Sequence, residues 1–224
     1  MDDAISAKFV ESIMHSINCH SLLKDAKSSK YIDANQMHLN IYGLSTVRDL
    51  IGFTVWDLDS QMSKMWLDNA KQVTDFDNEV LYTGKPVVNP GRVWLNSDGF
   101  VWKHHMSKIP VFNRDNKVSA ILSLGDNLTT ELSFSELYSY YCYFYKNKHL
   151  KVGKFLQHVG IYDYFTSLPT RAEVLVLIAK KVLVHNKLIA QSLNITLGTV
   201  ESHVNKLCQK TSNLLVVLTE MRNR

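Results

Sequence analysis

Polar residues recur in a regular pattern near the end of the 224-residue chain, in "HNKLIAQSLNITLGTVESHVNKLCQK", residues 185–210. Val200, His203, Val204 and Leu207 fall at i, i+3, i+4 and i+7, the spacing of one buried helical face. Glu201, Ser202, Asn205, Lys206 and Gln209 are left on the outside. These groups can hydrogen-bond base edges or phosphates: a carboxylate accepts from cytosine N4, and a side-chain amide pairs with adenine. Glu201 is the odd member, because a lysine there would attract DNA more simply. A shorter helix, "NKLIAQSL", precedes this one, with Leu188, Ile189 and Leu193 apolar and the small Ala190 where a second helix can cross closely. Asn194-Ile195-Thr196 would make the corner between them. Asn tolerates the left-handed backbone such a corner needs, and Thr196 can cap the second helix.

No other chemistry competes with this stretch. The sequence has no Gly-x-Ser-x-Gly, no P-loop and no His-Glu-x-x-His, so no enzyme is expected. Cys19, Cys142 and Cys208 are far apart and form no Cys-x-x-Cys, which suits reduced thiols. Histidines and cysteines form no cluster with zinc-ligand spacing. Of the adjacent pair His104-His105, only one can face inward if the segment is a strand, as a core histidine with its hydrogen bonds met. Trp56, Trp66, Trp94 and Trp102 are expected in the core.

Composition sets the frame. Hydrophobic residues make up 46% and charged residues 21%, ordinary values for a globular chain. "VLVLIA", the longest apolar run, is far short of the ~20 residues of a membrane span. The start, "MDDAISAK", lacks the basic and apolar regions of a signal peptide, so a cytoplasmic location is expected. The net charge of +4 is uneven. From Thr166 onward eight Lys or Arg stand against three acidic residues, whereas residues 1–165 hold 17 and 18. A basic module behind a near-neutral body suits a polyanion partner.

The elements that must position these groups divide the chain into four segments. Residues 1–20 carry Ile5, Phe9, Ile13 and Ile17 at a spacing of four, which predicts an amphipathic helix. Residues 21–130 mix short helices with strands. One helix is expected over 63–85, closed by Gly84 and Pro86. Three strands then follow in "PVVNPGRVWL", "FVWKHHMSKIPVF" and "KVSAILSLG", joined by the turn formers "NSDG" and "NRDN". In the last strand Val118, Ala120, Leu122 and Leu124 share a face, with Ser119 and Ser123 opposite. Residues 131–165 form a helical aromatic connector in which Leu137, Tyr140, Tyr141, Phe144 and Tyr145 follow a helical period. Its stripe would be buried either on a neighbouring domain or partner, or in its own domain's core. Residues 166–224 are helical.

Residues 21–130 resemble a PAS domain. The resemblance is carried by "YIDANQMHLNIYGL", with Asn35 opening a helix; by Leu50-Ile51-Gly52 and Trp56-Asp57; and by "SDGFVWKHHMSKIPVFN" and "VSAILSLGDNLT". It implies an α+β domain, a five-stranded antiparallel sheet with helices, often around a ligand cavity. The closing Asp-Ile-Thr of the family reads Asp126-Asn127-Leu128-Thr129. The Asn-Cys-Arg-Phe signature of flavin-binding members is absent, and no cofactor is assigned.

Residues 166–224 resemble the LuxR-type four-helix module with its helix-turn-helix. "EVLVLIA", "NKLIAQSLNIT", "TVESHVNKL" and Lys210 carry the resemblance. The family's Thr-x-Arg-Glu opening reads Pro169-Thr170-Arg171-Ala172, Lys180-Lys181 replace a glycine, Leu188 replaces a glutamate, and the loop before Asn186 is about two residues longer. The resemblance implies that Glu201, Ser202 and Asn205 face bases, that Lys187, Thr199, Lys206 and Lys210 contact the DNA backbone, and that Leu214, Leu215, Val217 and Leu218 dimerise. The expectation is a homodimeric, sequence-specific transcription regulator of double-stranded DNA, with a small molecule or partner sensed by the PAS-like domain. Two alternatives stand beside it: an interaction module whose helix-turn-helix does not bind DNA, and an acyl-homoserine-lactone receptor of the same family.

Overall fold

The computed structural model describes residues 3–66 and 68–221, with side chains described for 9–59, 62 and 68–221. Ile5, Trp66, Arg222 and Arg224 lie outside the residues whose side chains are described. The chain divides into two compact units, residues 1–128 and 129–224.

The first unit opens with α1 (Asp3–Ser16) and continues through β1 (His20–Asp25), β2 (Tyr31–Ala34), α2 (Gln36–Tyr42), α3 (Val55–Trp66) and α4 (Asn69–Thr83). It ends with β3 (Val87–Leu95), β4 (Val101–Phe112) and β5 (Val118–Asn127). The helix expected over 63–85 is therefore two helices, the second closed by Gly84 at φ 61°. The five strands form one antiparallel sheet in the order β2-β1-β5-β4-β3, the PAS-like arrangement. Asn35 caps α2 by accepting from the His38 backbone N–H, and its amide donates to the Cys19 carbonyl at 2.7 Å. A single residue thus starts the helix and ties it to the approach of β1.

Both faces of the sheet are covered. Leu22, Tyr31, Leu39, Ile41, Leu58 and Trp94 belong to the larger cluster, shared with α2, α3 and α4. Met14, Leu23 and Ala120, with Val10 and Leu122 against them, form a smaller one under α1. The stripe expected on α1 is corrected here: Phe9 is 66% exposed, and Val10 and Met14 turn toward the sheet instead. Leucine-sized apolar groups gain about 1.5–3 kcal/mol each on full burial, so the helix docks by whichever face meets apolar surface. β5 also departs from the simple alternation, since Ser123 and Gly125 are as buried as Ala120 and Ile121. The face with small side chains looks into the unit's interior.

The second unit holds α5 (Phe134–Phe144), α6 (Lys148–His158), α7 (Arg171–Val182), α8 (Asn186–Leu193), α9 (Leu197–Lys210) and α10 (Leu214–Glu220). α5 begins with a capping box in which Ser133 accepts from the Glu136 N–H and Glu136 reaches back to Ser133. Its Leu137, Tyr138 and Tyr141 are buried, and Tyr138 and Tyr141 meet Phe155 of α6 edge-on. The Tyr141 hydroxyl lies 2.6 Å from His158 Nδ1. Of the expected stripe, Leu137 and Tyr141 are buried within the unit that carries the helix-turn-helix, whereas Tyr140, Phe144 and Tyr145 are half-buried.

Candidate functional site

α8 and α9 form the expected corner. Asn194 stands at φ 52°, ψ 49°, left-handed, and closes α8 with its N–H on the Ala190 and Gln191 carbonyls. Thr196 caps α9 by accepting from the Thr199 N–H at 3.1 Å. Val200 and Leu207 of α9 are fully buried, as is Ile189 of α8, so α9 packs with its inner face on α7 and α8. α7 starts with a capping box between Thr170 and Glu173. Glu173, three residues beyond Thr170, thus completes the helix start, its carboxylate accepting from the Thr170 N–H at 2.8 Å. The Thr-x-x-Glu spacing of a capping box is visible in the sequence.

The outer face of α9 presents Glu201, Ser202, Asn205, Lys206 and Gln209 to solvent. Glu201, Asn205 and Gln209 lie one turn apart along it, with Ser202 and Lys206 alongside. None of these side chains hydrogen-bonds another described residue. Lys187 of α8 is also exposed. Thr199 is half-buried, and its hydroxyl shares a 2.8 Å hydrogen bond with that of Thr196. Lys210 differs from the other lysines: its Nζ donates to Glu173 Oε2 at 2.7 Å and to the Leu168 carbonyl at 3.2 Å. Burial would push the Glu173 carboxyl up, but the Lys210 and Thr170 hydrogen bonds bring it below its ordinary value. Lys210 thus braces the two ends of the module.

The four apolar residues of α10 split by face. Leu214 and Val217 are buried within the unit, Val217 completely. Leu215 is 74% exposed and Leu218 half-buried, with Val216 exposed beside them. Lys181 donates to the Leu218 carbonyl at 2.7 Å, a cation at the carbonyl end of a helix.

In the first unit, a small cavity lies between the sheet and its helices, with room for about one water. His20, His38, His104, Lys24, Arg92 and Lys108 are among its walls. The strand alternation puts His104 inward, as expected of one member of the pair. Its Nδ1 accepts from the Trp94 indole N–H at 2.8 Å, but Nε2 has no partner. His20 and His38 stack at 5.7 Å, with all four ring nitrogens unpartnered. Burial, the largest cause, drives the His20 imidazole down to about 4 and those of His38 and His104 well below their ordinary value. Asp77 of α4 accepts from Lys24 at 2.8 Å and from Lys108. Burial pushes the Lys108 ammonium down to about 8. Trp94 lines the cavity, Trp102 packs on the core beside it, and Trp56, expected in the core, is 54% exposed. No group of three or more His, Cys, Asp or Glu suited to a metal ion occurs among the described residues.

No family model matches the sequence. No curated protein matches it either. Among solved structures the chain is similar to the Vibrio cholerae VqmA–ligand–DNA complex, with 20% identity over 94% of this chain and 84% of that one and a TM-score of 0.48. It is also similar to the phage VqmA–DPO complex, with 16% identity over 97% and 87% of the two chains and a TM-score of 0.47. The PAS domain of Bordetella pertussis BvgS matches 56% of this chain and 88% of its own, with 14% identity and a TM-score of 0.47. The strand order, the caps and the helix corner described above make a PAS-like α+β unit followed in the chain by a helical unit with a helix-turn-helix. No helix among the described residues is long and apolar enough to cross a membrane.

Proposed function

We propose that the protein is a cytoplasmic, non-enzymatic transcription regulator that binds double-stranded DNA as a homodimer and senses a small molecule in the cavity of its PAS-like unit. The carrying observation is the outer face of α9: five polar side chains exposed on a helix whose opposite face is buried against α7 and α8. Such a helix fits the major groove, with Glu201, Ser202 and Asn205 toward base edges and Lys206, with Lys187, toward phosphates. Thr199 and Lys210 take supporting roles, one in the α9 cap and the other on Glu173. The outward residues of α10, Leu215 and Leu218, are the surface for a second copy, while Leu214 and Val217 hold the helix in place. The domains we assign are the N-terminal helix at 1–20, the PAS-like sensor at 21–130, the aromatic helices at 131–165 and the DNA-binding module at 166–224.

The test is a mobility shift with genomic fragments across a salt series. Binding that weakens steeply with salt and selects particular fragments is the expected outcome. A folded protein that shifts no fragment even at low salt would leave the interaction-module alternative in its place.

A further inference from the structure

The interior of the PAS-like unit is electrically unbalanced. Lys24, Arg92 and Lys108 are each at most 7% exposed, and all three line the cavity. Their one buried carboxylate is Asp77, already shared between the two lysines. Arg92 forms no ion pair with any described residue. Buried charges are ordinarily paired, because removing an ion from water without a partner costs several kcal/mol.

Hydrogen bonding is unbalanced in the same place. Trp94 N–H can only donate, so His104 Nδ1 must be the unprotonated nitrogen and Nε2 must carry the hydrogen. That leaves a fully buried Nε2–H donor without an acceptor. Arg92 and His104 are directly opposed on β3 and β4, so their side chains leave the sheet as neighbours on one face. A guanidinium and a fixed N–H donor therefore sit side by side, and no described carboxylate pairs directly with the guanidinium, though Asp68 and Asp77 attract it from further off. The tautomer that Trp94 imposes also keeps Nε2 from acting as a metal ligand.

We propose that this cavity takes a small organic carboxylate, its oxygens received by Arg92 and by the Nε2–H of His104. The proposal rests on the sensor part of the reading above and names its ligand class. The space as it stands holds about one water, so even a ligand as small as acetate or pyruvate enters only as the lining side chains move apart. A planar carboxylate suits a guanidinium and supplies the missing negative charge.

The full chain is titrated with sodium acetate or pyruvate at constant ionic strength, with acetamide as the neutral isostere, and thermal unfolding is followed. The expected result is a saturable rise in Tm with the carboxylates, none with acetamide, and loss of the response in Arg92→Gln. Because that variant removes a buried group and could fail to fold, the unaltered protein is also titrated with ¹³C-carboxyl acetate by NMR. Saturable broadening, reversed by excess pyruvate, is expected. Equal stabilisation by acetamide, or no saturable binding of either carboxylate, overturns the proposal. DNA binding is scored separately by mobility shift. Carboxylate binding without any DNA shift removes the regulator reading alone, and a DNA shift without carboxylate binding removes the ligand class alone. Binding only of uncharged ligands keeps the sensor and rejects the anion.

Discussion

Asn205 and Lys206 are neighbours on α9 and both exposed, yet their chemistry assigns them different work. An amide reads a base edge, whereas an ammonium answers any phosphate. Asn205→Ala should therefore relax preference at one position of the site by about 1–3 kcal/mol and leave non-specific affinity intact. Lys206→Ala should weaken all sequences alike and reduce the salt slope by about one per lysine removed. Binding isotherms on a panel of single-base variants at several salt concentrations separate the two, and equal effects would contradict the assignment. Glu201 is no obstacle at this scale, since Lys187 and Lys206 supply attraction around it. These outward residues were legible from spacing alone. The role of Lys210 was not: its partner Glu173 lies 37 positions away in sequence, and no local periodicity links them.

α10 shows how an element divides its duties. Val217 is fully buried and Leu215 largely exposed, though both are simply apolar in the sequence. Leu215→Glu should leave the unit folded but weaken dimerisation at least tenfold, about 1.4 kcal/mol, which sedimentation across a concentration range would read. Val217→Glu should instead unfold the unit, because it buries an unpaired charge. A Leu215→Glu protein that stays as dimeric as the original would place the interface elsewhere. Helix α1 teaches the same lesson in reverse. The spacing of Phe9 and Ile13 was legible, but which face meets the sheet was decided by Val10 and Met14, and only the tertiary neighbours reveal that.

Across the whole molecule, the three histidines buried in the first unit, His20, His38 and His104, make stability depend on pH. Their folded pKa values lie below the unfolded value, so the unfolded chain takes up protons first as pH falls through about 6.5. Stability should therefore drop between pH 6.5 and about 4, by on the order of 3 kcal/mol from His20 alone. Glu173, with its pKa lowered, keeps its contribution above the ordinary glutamate range and loses it only at more acid pH. Urea unfolding at pH 7, 6 and 5, followed by tryptophan fluorescence, checks this, and a flat profile would refute it. The histidine cluster was the largest feature hidden from the sequence. His20 lay one residue outside the expected domain, although the period-two run His20, Leu22, Lys24 already extended the strand to it. Gly125 makes the cluster possible, since a Cβ there would lie 2.3 Å from the His20 ring. One methyl group at that position would displace the imidazole, and it would also meet the His105 carbonyl of β4 at 2.8 Å, so the strand must give as well. Gly125→Ala is thus a steric key to the interior, a way to ask whether a chain with its lock held open still answers to its signal.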